Sequence, residues 1–487
     1  MESKKSGLVS RTFRGAVWSY ASVYSGKVLI FLTTIILARL LSKEDFGVAG
    51  YALVIISFLN VLNDLGVGPA LIYYKDDPDA ADTAFWLSLS MGVALFAATW
   101  FLAPFVGWFF QDERAVAVTR IAALVFPVGA LSNVHDMLLQ KGLAFRRKFI
   151  PDFAQAAAKG LFSVALSLLN FGAWSLVIGQ VAGRAVGTLA YWLISPWRPT
   201  RRFSPVLMRR LLAYGLRLVS VNGLGVLLLN ADYLFIGYFL DAGALGVYTL
   251  AFRIPELVIM QLCYIIGLVI FPAYASMRDD NLAFRRGFLA TTQYVAALTV
   301  PLGIGLALVA EPFVLTMFSD KWIEAIPVMR AICIYALMIS LAYNAGDVYK
   351  ATGRLNILIR LSLVRAALLI PALWWATNTT RNIETVAWTQ AAVALVTGML
   401  NIAVAARMID TPVRMIAAVL WPILLSGALM GMSVWGVLVA LSQSSSLVQL
   451  IVSVSVGAVV YVGTLWLIQR NLLADGISVV RTALARS

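Results

Sequence analysis

Six basic and four acidic residues fall inside long apolar stretches of this chain, and chemistry would have to occur at them. The cations are Lys27, Lys159, Arg184, Arg217, Arg253 and Arg365, and the anions are Asp64, Asp232, Glu256 and Asp347. An ionisable group within a membrane span costs a few kcal/mol, so such groups tend to face a cavity and act there. Counted from the span edges, Lys27, Arg184, Arg253 and Arg365 fall nearest the midplane. Asp64, Arg217 and Asp347 fall near the ends, where they can snorkel to water. Cations outnumber anions at depth, which suits an anionic substrate such as a phosphate or pyrophosphate. Arginine fits because its planar fork binds phosphate oxygens in pairs. The six cations are therefore candidate substrate contacts, and the four anions candidate ion-coupling groups. A plainer role competes for some of them. Arg253 and Glu256 are three residues apart and could simply neutralise each other. Asp64 and Asp347 suit capping or loop packing better than coupling. Lys27 and Arg365 have no partner nearby in sequence.

Motifs for covalent or nucleotide chemistry are absent. There is no Walker loop, His-Glu-x-x-His, cysteine cluster or Gly-x-Ser-x-Gly, so no enzyme and no cofactor is expected. Without an ATP site, transport would run on an ion gradient (H+ or Na+) or on the substrate's own gradient. Cys263 and Cys333 lie in apolar spans and read as packed thiols. His135, the single histidine, reads as an interfacial polar group rather than a proton relay.

The elements that must position these groups are membrane helices. Apolar residues make up 61% of the 487 residues and charged residues 13%, about half the charged share of an ordinary soluble protein. The net charge of +14 could point to nucleic acid, but Lys and Arg crowd into short loops, which is how membrane proteins set orientation. Apolar runs of about 20 residues are long enough to span. Fourteen are visible, near 15–38, 46–66, 84–110, 115–139, 152–170, 173–195, 211–236, 244–271, 288–310, 326–349, 355–376, 384–406, 414–441 and 447–469. The first is longer than the apolar core of a signal peptide, and no small-residue cleavage site follows it, so it is expected to stay as a helix. With both termini inside, loops holding Arg146, Arg147, Lys148, Arg201, Arg202, Arg285 and Arg286 face the cytoplasm; the acidic Lys75-Asp-Asp-Pro-Asp loop is an exception that counts weakly. No outer loop is long enough to form a domain.

The chain also repeats. Leu41-Ser-Lys-Glu-Asp-Phe46-Gly47-Val48 is echoed by Leu240-Asp-Ala-Gly-Ala-Leu245-Gly246-Val247, Ala103-Pro104-Phe105-Val106 by Glu311-Pro312-Phe313-Val314, and Phe110 and Asp112 by Phe318 and Asp320. Six spans per copy is an even number, so both copies enter the membrane the same way up. The expectation is an all-α polytopic membrane protein with two six-helix bundles, 1–198 and 199–410, related by a pseudo-two-fold axis along the membrane normal. Two further helices and a cytoplasmic tail would follow at 411–487. Weaker features are Pro255, Pro272, Pro301, Pro312 and Pro371, which could mark bends, and the small-residue spacings Gly183 to Gly187 and Gly427 to Gly431. Trp18, Trp108, Trp174, Trp197 and Trp322 fit an aromatic belt. Asn378-Thr-Thr380 forms a sequon in an outer loop.

Leu37-Ala38-Arg39-Leu40-Leu41-Ser42-Lys43-Glu44-Asp45-Phe46-Gly47, followed by Asp64-Leu65-Gly66 and Ala70-Leu71-Ile72, resembles the bacterial polysaccharide flippases, notably the colanic-acid and teichuronic-acid type of Wzx transporter. Ala103-Pro104 and Gly142-Leu-Ala-Phe145-Arg146 extend the likeness. It implies membership of the superfamily that includes multidrug exporters and peptidoglycan-precursor flippases, with two bundles around a central cavity. It further implies movement of undecaprenyl-pyrophosphate-linked oligosaccharides from the cytoplasmic to the periplasmic leaflet. Lys27 and Arg253 lie on spans one and eight, which carry cavity cations in the peptidoglycan-precursor relatives; this likeness is one of position only. The expected partners are the lipid-linked oligosaccharide and membrane lipids, with polysaccharide polymerase or export machinery as candidates and no nucleic acid. A monomer in the bacterial inner membrane is expected. The rival readings are a cation-coupled drug exporter, which favours an anionic cavity, a peptidoglycan-precursor flippase, and a glycan polymerase or ligase, which would need a large outer loop.

Overall fold

The computed structural model describes residues 25–64, 79–142 and 144–470, with the side chains of 64, 214, 216–222, 265, 268 and 269 outside that description. Trp18, the second half of the Asp64-Leu65-Gly66 motif, the acidic loop at 75–78, and the Asp64 and Arg217 side chains thus lie outside the described residues. Everything described is helix or connection, with no strand. The order is α1 (25–40), α2 (Lys43–Asp64), α3 (Ala80–Phe110), α4 (Arg114–Ala122), α5 (Val125–Lys141), α6 (Phe145–Leu168), α7 (Ala173–Ile194) and α8 (Pro205–Phe239). Then come α9 (Ala242–Pro255), a π turn (Glu256–Met260), α10 (Gln261–Met277), α11 (Asn281–Leu308), α12 (Ala310–Met317), α13 (Ala325–Ala351), α14 (Leu355–Trp375), α15 (Ile383–Met408), α16 (Val413–Ala440) and α17 (Ser446–Ile468).

Among the described residues, eleven helices are long and apolar enough to cross a membrane. Three of the fourteen expected spans fall outside that set. They are α1, α8 (whose apolar part is Gly223–Phe239), and α6, whose Arg146, Arg147, Lys148, Asp152 and Lys159 lower its hydropathy. The protein is an all-α, multi-pass membrane protein. Contacts divide it into two compact units, Met1–Gly246 and Val247–Ser487.

Several boundaries differ from the sequence reading, each for a local reason. The fourth span is two helices, α4 and α5, separated by a turn at Ala123–Leu124. Span five begins seven residues earlier than the expected 152, at Phe145, because the basic run Arg146-Arg147-Lys148 is the first turn of a helix and not a loop. Span seven begins at Pro205: Ser204 is its N-cap, with Oγ accepting from Leu207 N at 3.4 Å, and Pro205 sits where a missing N–H costs nothing. Span eight is interrupted just after Pro255 by the π turn that begins at Glu256.

The repeated hairpin motif has a physical content. Ser42 and Asp45 cap each other at the start of α2, with Ser42 N donating to Asp45 Oδ2 at 3.0 Å and Asp45 N to Ser42 Oγ at 3.1 Å. The position equivalent to Ser42 is Asp241, whose Oδ1 accepts from Ala244 N at 2.7 Å to cap α9. Five residues after each cap stands a glycine. A β-carbon on Gly47 would overlap the backbone carbonyl of Ala242, and one on Gly246 would overlap the carbonyl of Lys43. The first turns of α2 and α9 therefore cross backbone to backbone, and each copy of the motif supplies the glycine the other needs.

The second repeated motif also holds. Phe110 and Phe318 are both buried, Phe110 stacking on Tyr51 with centroids 4.3 Å apart. Asp112, in the turn after α3, receives a forked ion pair from Arg114, Nε to Oδ1 at 3.0 Å and Nη2 to Oδ2 at 2.8 Å. Burial pushes the Asp112 carboxyl up, but the side-chain and backbone hydrogen bonds from Arg114 and its charge outweigh this and hold the group below its ordinary 3.8. A carboxyl lowered by folding contributes stability above its unfolded value, and that stability is lost as pH falls through the lowered folded value. Asp112→Asn should therefore lower the melting temperature at pH 7, and the gap to wild type should close as pH falls below 3.8. Melting curves of both proteins across that range test this.

Candidate functional site

In the first unit, α6 and α7 lie against each other along their lengths, with α5 beside both. A glycine stripe on α7 makes this possible. A β-carbon on Gly179 would overlap the Ser163 hydroxyl. One on Gly183 would sit 2.7 Å from Lys159 Cβ, and one on Gly187 2.8 Å from Gln155 Cβ. The expected small-residue contact at Gly183 and Gly187 is thus real, and it runs one step further. With backbones this close, polar side chains on the neighbouring faces meet.

They meet in two layers. Nearer the basic loop between α5 and α6, Asp136 (α5), Lys148 and Asp152 (α6) and Tyr191 (α7) form one cluster. Lys148 Nζ pairs with Asp136 Oδ1, lies 3.6 Å from Asp152 Oδ2 and donates to Tyr191 Oη at 3.2 Å. Tyr191 Oη lies 2.7 Å from Asp152 Oδ1 and 3.1 Å from Asp136 Oδ1. Asn133, three residues before Asp136 on α5, and Gln155, three after Asp152 on α6, stand one turn deeper. There Arg184 Nη2 donates to Asn133 Oδ1 at 3.0 Å, and Nη1 reaches Gln155 Oε1 at 3.4 Å. Gly129 makes room for the guanidinium, since a β-carbon there would sit 2.7 Å from Arg184 Nε and Nη2. Arg184 Nε is buried and has no hydrogen-bond partner, so the guanidinium keeps donor capacity that another group can use. Thr188 Oγ1, on the same helix, bonds Val128 O at 2.9 Å and Ser132 Oγ at 3.2 Å.

The first layer sets two carboxyl groups against one ammonium and one phenol. The nearest further cation is Arg184, one turn away. Sequence reasoning singled out Arg184 and Lys159 and missed Asp136, Lys148, Asp152, Tyr191, Asn133 and Gln155. A usable signal existed: Asn133/Asp136 and Asp152/Gln155 are each three apart and therefore on one helix face. His135 is not interfacial as expected. It is fully buried, stacked on Trp192 at 5.0 Å and edge-on to Trp197 at 5.1 Å, with neither ring nitrogen hydrogen-bonded.

The other first-unit candidates are more scattered. Lys27 is partly buried on α1, next to Gly26, which faces Ala156 of α6. Asp232 is fully buried on α8, where its Oδ1 accepts from Tyr233 N at 3.0 Å. In the second unit Arg253 and Glu256 form the ion pair that their spacing allowed, Nη1 to Oε2 at 3.0 Å, each about one-third to two-fifths exposed. Arg365 does have a partner. Its Nη2 donates to Tyr335 Oη at 3.1 Å, with the guanidinium 6.0 Å from that ring's centroid, and its Nε is buried and unbonded. Asp347 is buried, pairs with Lys350 at 3.0 Å through Oδ1, and leaves Oδ2 unbonded. Cys263 and Cys333 are buried free thiols. Among the described residues no three His, Cys, Asp or Glu side chains come together as a metal site.

Each unit also carries an open groove at the second repeat motif. One, about 750 Å³, is lined by Pro104, Trp108, Asp112, Glu113 and Tyr238. The other, about 740 Å³, is lined by Glu311, Pro312, Arg330, Trp388, Trp435 and Gln449. Pro104 and Pro312, equivalent in the repeat, each line one of these grooves.

Among the described residues the chain is multi-pass and helical, with charged and amide side chains held between its helices and no domain folded outside them, an architecture that suits a membrane transporter. Its fold matches that of the Lipid II flippase MurJ, with a TM-score of 0.75 over 94% of this chain and 100% of that one, at 12% identity. The family model described as "Polysaccharide biosynthesis protein" matches residues 36–327, and the chain belongs to that family. Among its relatives, the teichuronic acid biosynthesis protein TuaB of Bacillus subtilis is 27% identical over 93% of this chain and 95% of its own length. The lipopolysaccharide biosynthesis protein WzxC of Escherichia coli is 28% identical over 75% of each.

Proposed function

We propose that this protein is a flippase that carries lipid-linked oligosaccharide units from the cytoplasmic to the periplasmic leaflet of a bacterial inner membrane, for export of a polysaccharide. The carrier would be undecaprenyl pyrophosphate, and the mechanism alternating access. The observation that supports this most is the match along nearly the whole chain to a teichuronic acid biosynthesis protein, on a fold shared with a lipid flippase. The intramembrane cations fit the reading. Arg184 and Arg365 each retain a buried, unbonded Nε, and Arg253 gives Glu256 only Nη1. Each can still take phosphate or sugar oxygens. Lys27, Lys159 and Arg217 are assigned to the same task, Asp232, Glu256, Asp64 and Asp347 to coupling an ion, H+ or Na+, and the protein to work as a monomer with both termini in the cytoplasm.

The test is chemical. Lipids are extracted from cells lacking the protein, the pyrophosphate is hydrolysed, and the released glycans are weighed by mass spectrometry. One oligosaccharide should accumulate at least tenfold and disappear when the wild-type gene is restored. Arg253→Ala should restore it poorly at unchanged membrane abundance. Drug sensitivity without any accumulated glycan would replace this reading with a drug exporter.

A further inference from the structure

We propose that the groove of the second unit lined by Glu311, Arg330, Trp388, Trp435, Ser442 and Gln449 is a saccharide-binding site at one end of the helices. Its biological role rests on the flippase reading: the sugar is the oligosaccharide of the cargo, held as it leaves the membrane. None of the intramembrane cations is among the lining residues. Glu311 opens α12, and Ser442 lies in the turn between α16 and α17. Arg330, Trp388 and Gln449 stand within five residues of the starts of α13, α15 and α17, and Trp435 five from the end of α16. The groove therefore reaches only about 8 Å inside the helix ends. Helix α11 begins beside the basic Arg285 and Arg286 and ends at this groove. The positive-inside bias assigns such an end to the outer face, where a translocated sugar emerges.

The lining has the chemistry of sugar recognition. A pyranose ring has apolar C–H faces and an edge of hydroxyls, so it takes flat aromatic walls and planar polar side chains together. Trp388 and Trp435 come from different helices and are 46% and 63% exposed. Between them stand Arg330 and Glu311, paired through a single contact, Nη2 to Oε2 at 3.2 Å. The other guanidinium N–H groups and the second carboxylate oxygen remain available. A hydroxyl donates one hydrogen bond and accepts others, so it suits a donor fork set beside an acceptor. Gln449 is fixed by Nε2, which donates to Leu441 O at 3.1 Å and Ser444 O at 3.0 Å, and keeps Oε1 as a further acceptor. The volume, about 740 Å³, is within the usual range of small-molecule pockets.

A phospholipid headgroup fits less well. The lining carries no net charge, and Glu311, 58% exposed, meets an incoming phosphate as readily as Arg330, 44% exposed. The groove of the first unit offers the same kinds of group: aromatic rings on Trp108 and Tyr238, the carboxamide of Gln111, and Asp112 in its ion pair with Arg114. There the extra carboxylate of Glu113 leaves the charge unbalanced. The neutral groove with two indoles suits a neutral sugar best.

The experiment uses purified full-length protein, labelled with fluorotryptophan, in nanodiscs of phosphatidylethanolamine. Trp388→Phe and Trp435→Phe assign the two fluorine NMR resonances by removing them. The probe is a set of short oligosaccharides, made by partial acid hydrolysis of the polysaccharide on the surface of the same cells. Adding it should shift both resonances and leave that of Trp421, exposed near the other end of α16, in place. Arg330→Gln should raise the probe concentration needed for half the shift at least tenfold, the loss expected for hydrogen bonds to a charged group. Resonances that the probe does not move would overturn the proposal and leave the tryptophans as an aromatic belt. Resonances moved by exchanging the lipid for phosphatidylglycerol, and not by sugar, would overturn it in favour of a lipid groove. No lipid carrier enters this measurement, so a shift without any accumulated glycan would support the site and sink the flippase reading, and the reverse result would do the opposite. The part in transport is read in cells: at equal membrane abundance, Trp388→Ala combined with Trp435→Ala should lower polymer export at least threefold, and unchanged export would remove that role.

Discussion

Gly47→Ala should cost the protein most of its folded abundance. A methyl group there has nowhere to go, because it would overlap the main-chain carbonyl of Ala242, and the neighbouring atoms are also backbone. Side chains can swing aside, but a crossing of two main chains can only separate. Overpacking typically costs about 1–3 kcal/mol, and a backbone obstacle belongs at the upper end of that range. Gly246→Ala meets the Lys43 carbonyl in the same way and should behave alike. Gly346→Ala, with open space around its β-position, should be tolerated as far as sterics go. Thermal melts in detergent, read beside membrane abundance, test all three. Equal melting temperatures for Gly47→Ala and wild type would mean that the two helix starts do not cross this closely.

Arg184→Ala should abolish export, and for two separable reasons. It removes a guanidinium that bonds Asn133 and Gln155 across two helices, and hydrogen bonds to charged groups are worth about 1.5–3 kcal/mol each. It also removes a positive charge one turn from the Asp136/Asp152 pair, the next after the Lys148 ammonium. Arg184→Lys separates the effects: it keeps the charge but not the fork. If Arg184 only holds the helices together, both variants should melt early and lose abundance in step with export. If it contacts a phosphate group of the cargo, Arg184→Lys should stay folded yet export at least tenfold more slowly, equivalent to about 1.4 kcal/mol. Wild-type export in Arg184→Ala would remove the residue from the site altogether.

Much of the fold was legible in the residues. Ser42 and Asp241 announce helix starts, and the glycines five residues later mark the duplicated crossing. The length of most apolar runs gave their spans. The site was legible only in part. Arg184 stood out because an arginine in an apolar stretch is rare. Lys148 was hidden by its neighbours: three successive cations look like a loop, yet they start a helix whose third cation turns inward. Arg365 looked unpartnered because Tyr335 is 30 residues away on another helix. His135 looked interfacial because nothing local reveals two tryptophans from around position 195 folding over it.

The sequence by itself determined what depends on neighbours along the chain: the membrane as solvent, most of the spans, the repeated motif and the family. These follow from run length, charge placement and capping, each settled within a few residues. Tertiary structure alone decided which polar groups meet. Asp136, Lys148 and Tyr191 come together because the glycine stripe of α7 lets three helices approach within side-chain reach. In the interior of a membrane protein, a polar group's chemistry is set by what stands across that gap and not by what precedes or follows it in the chain.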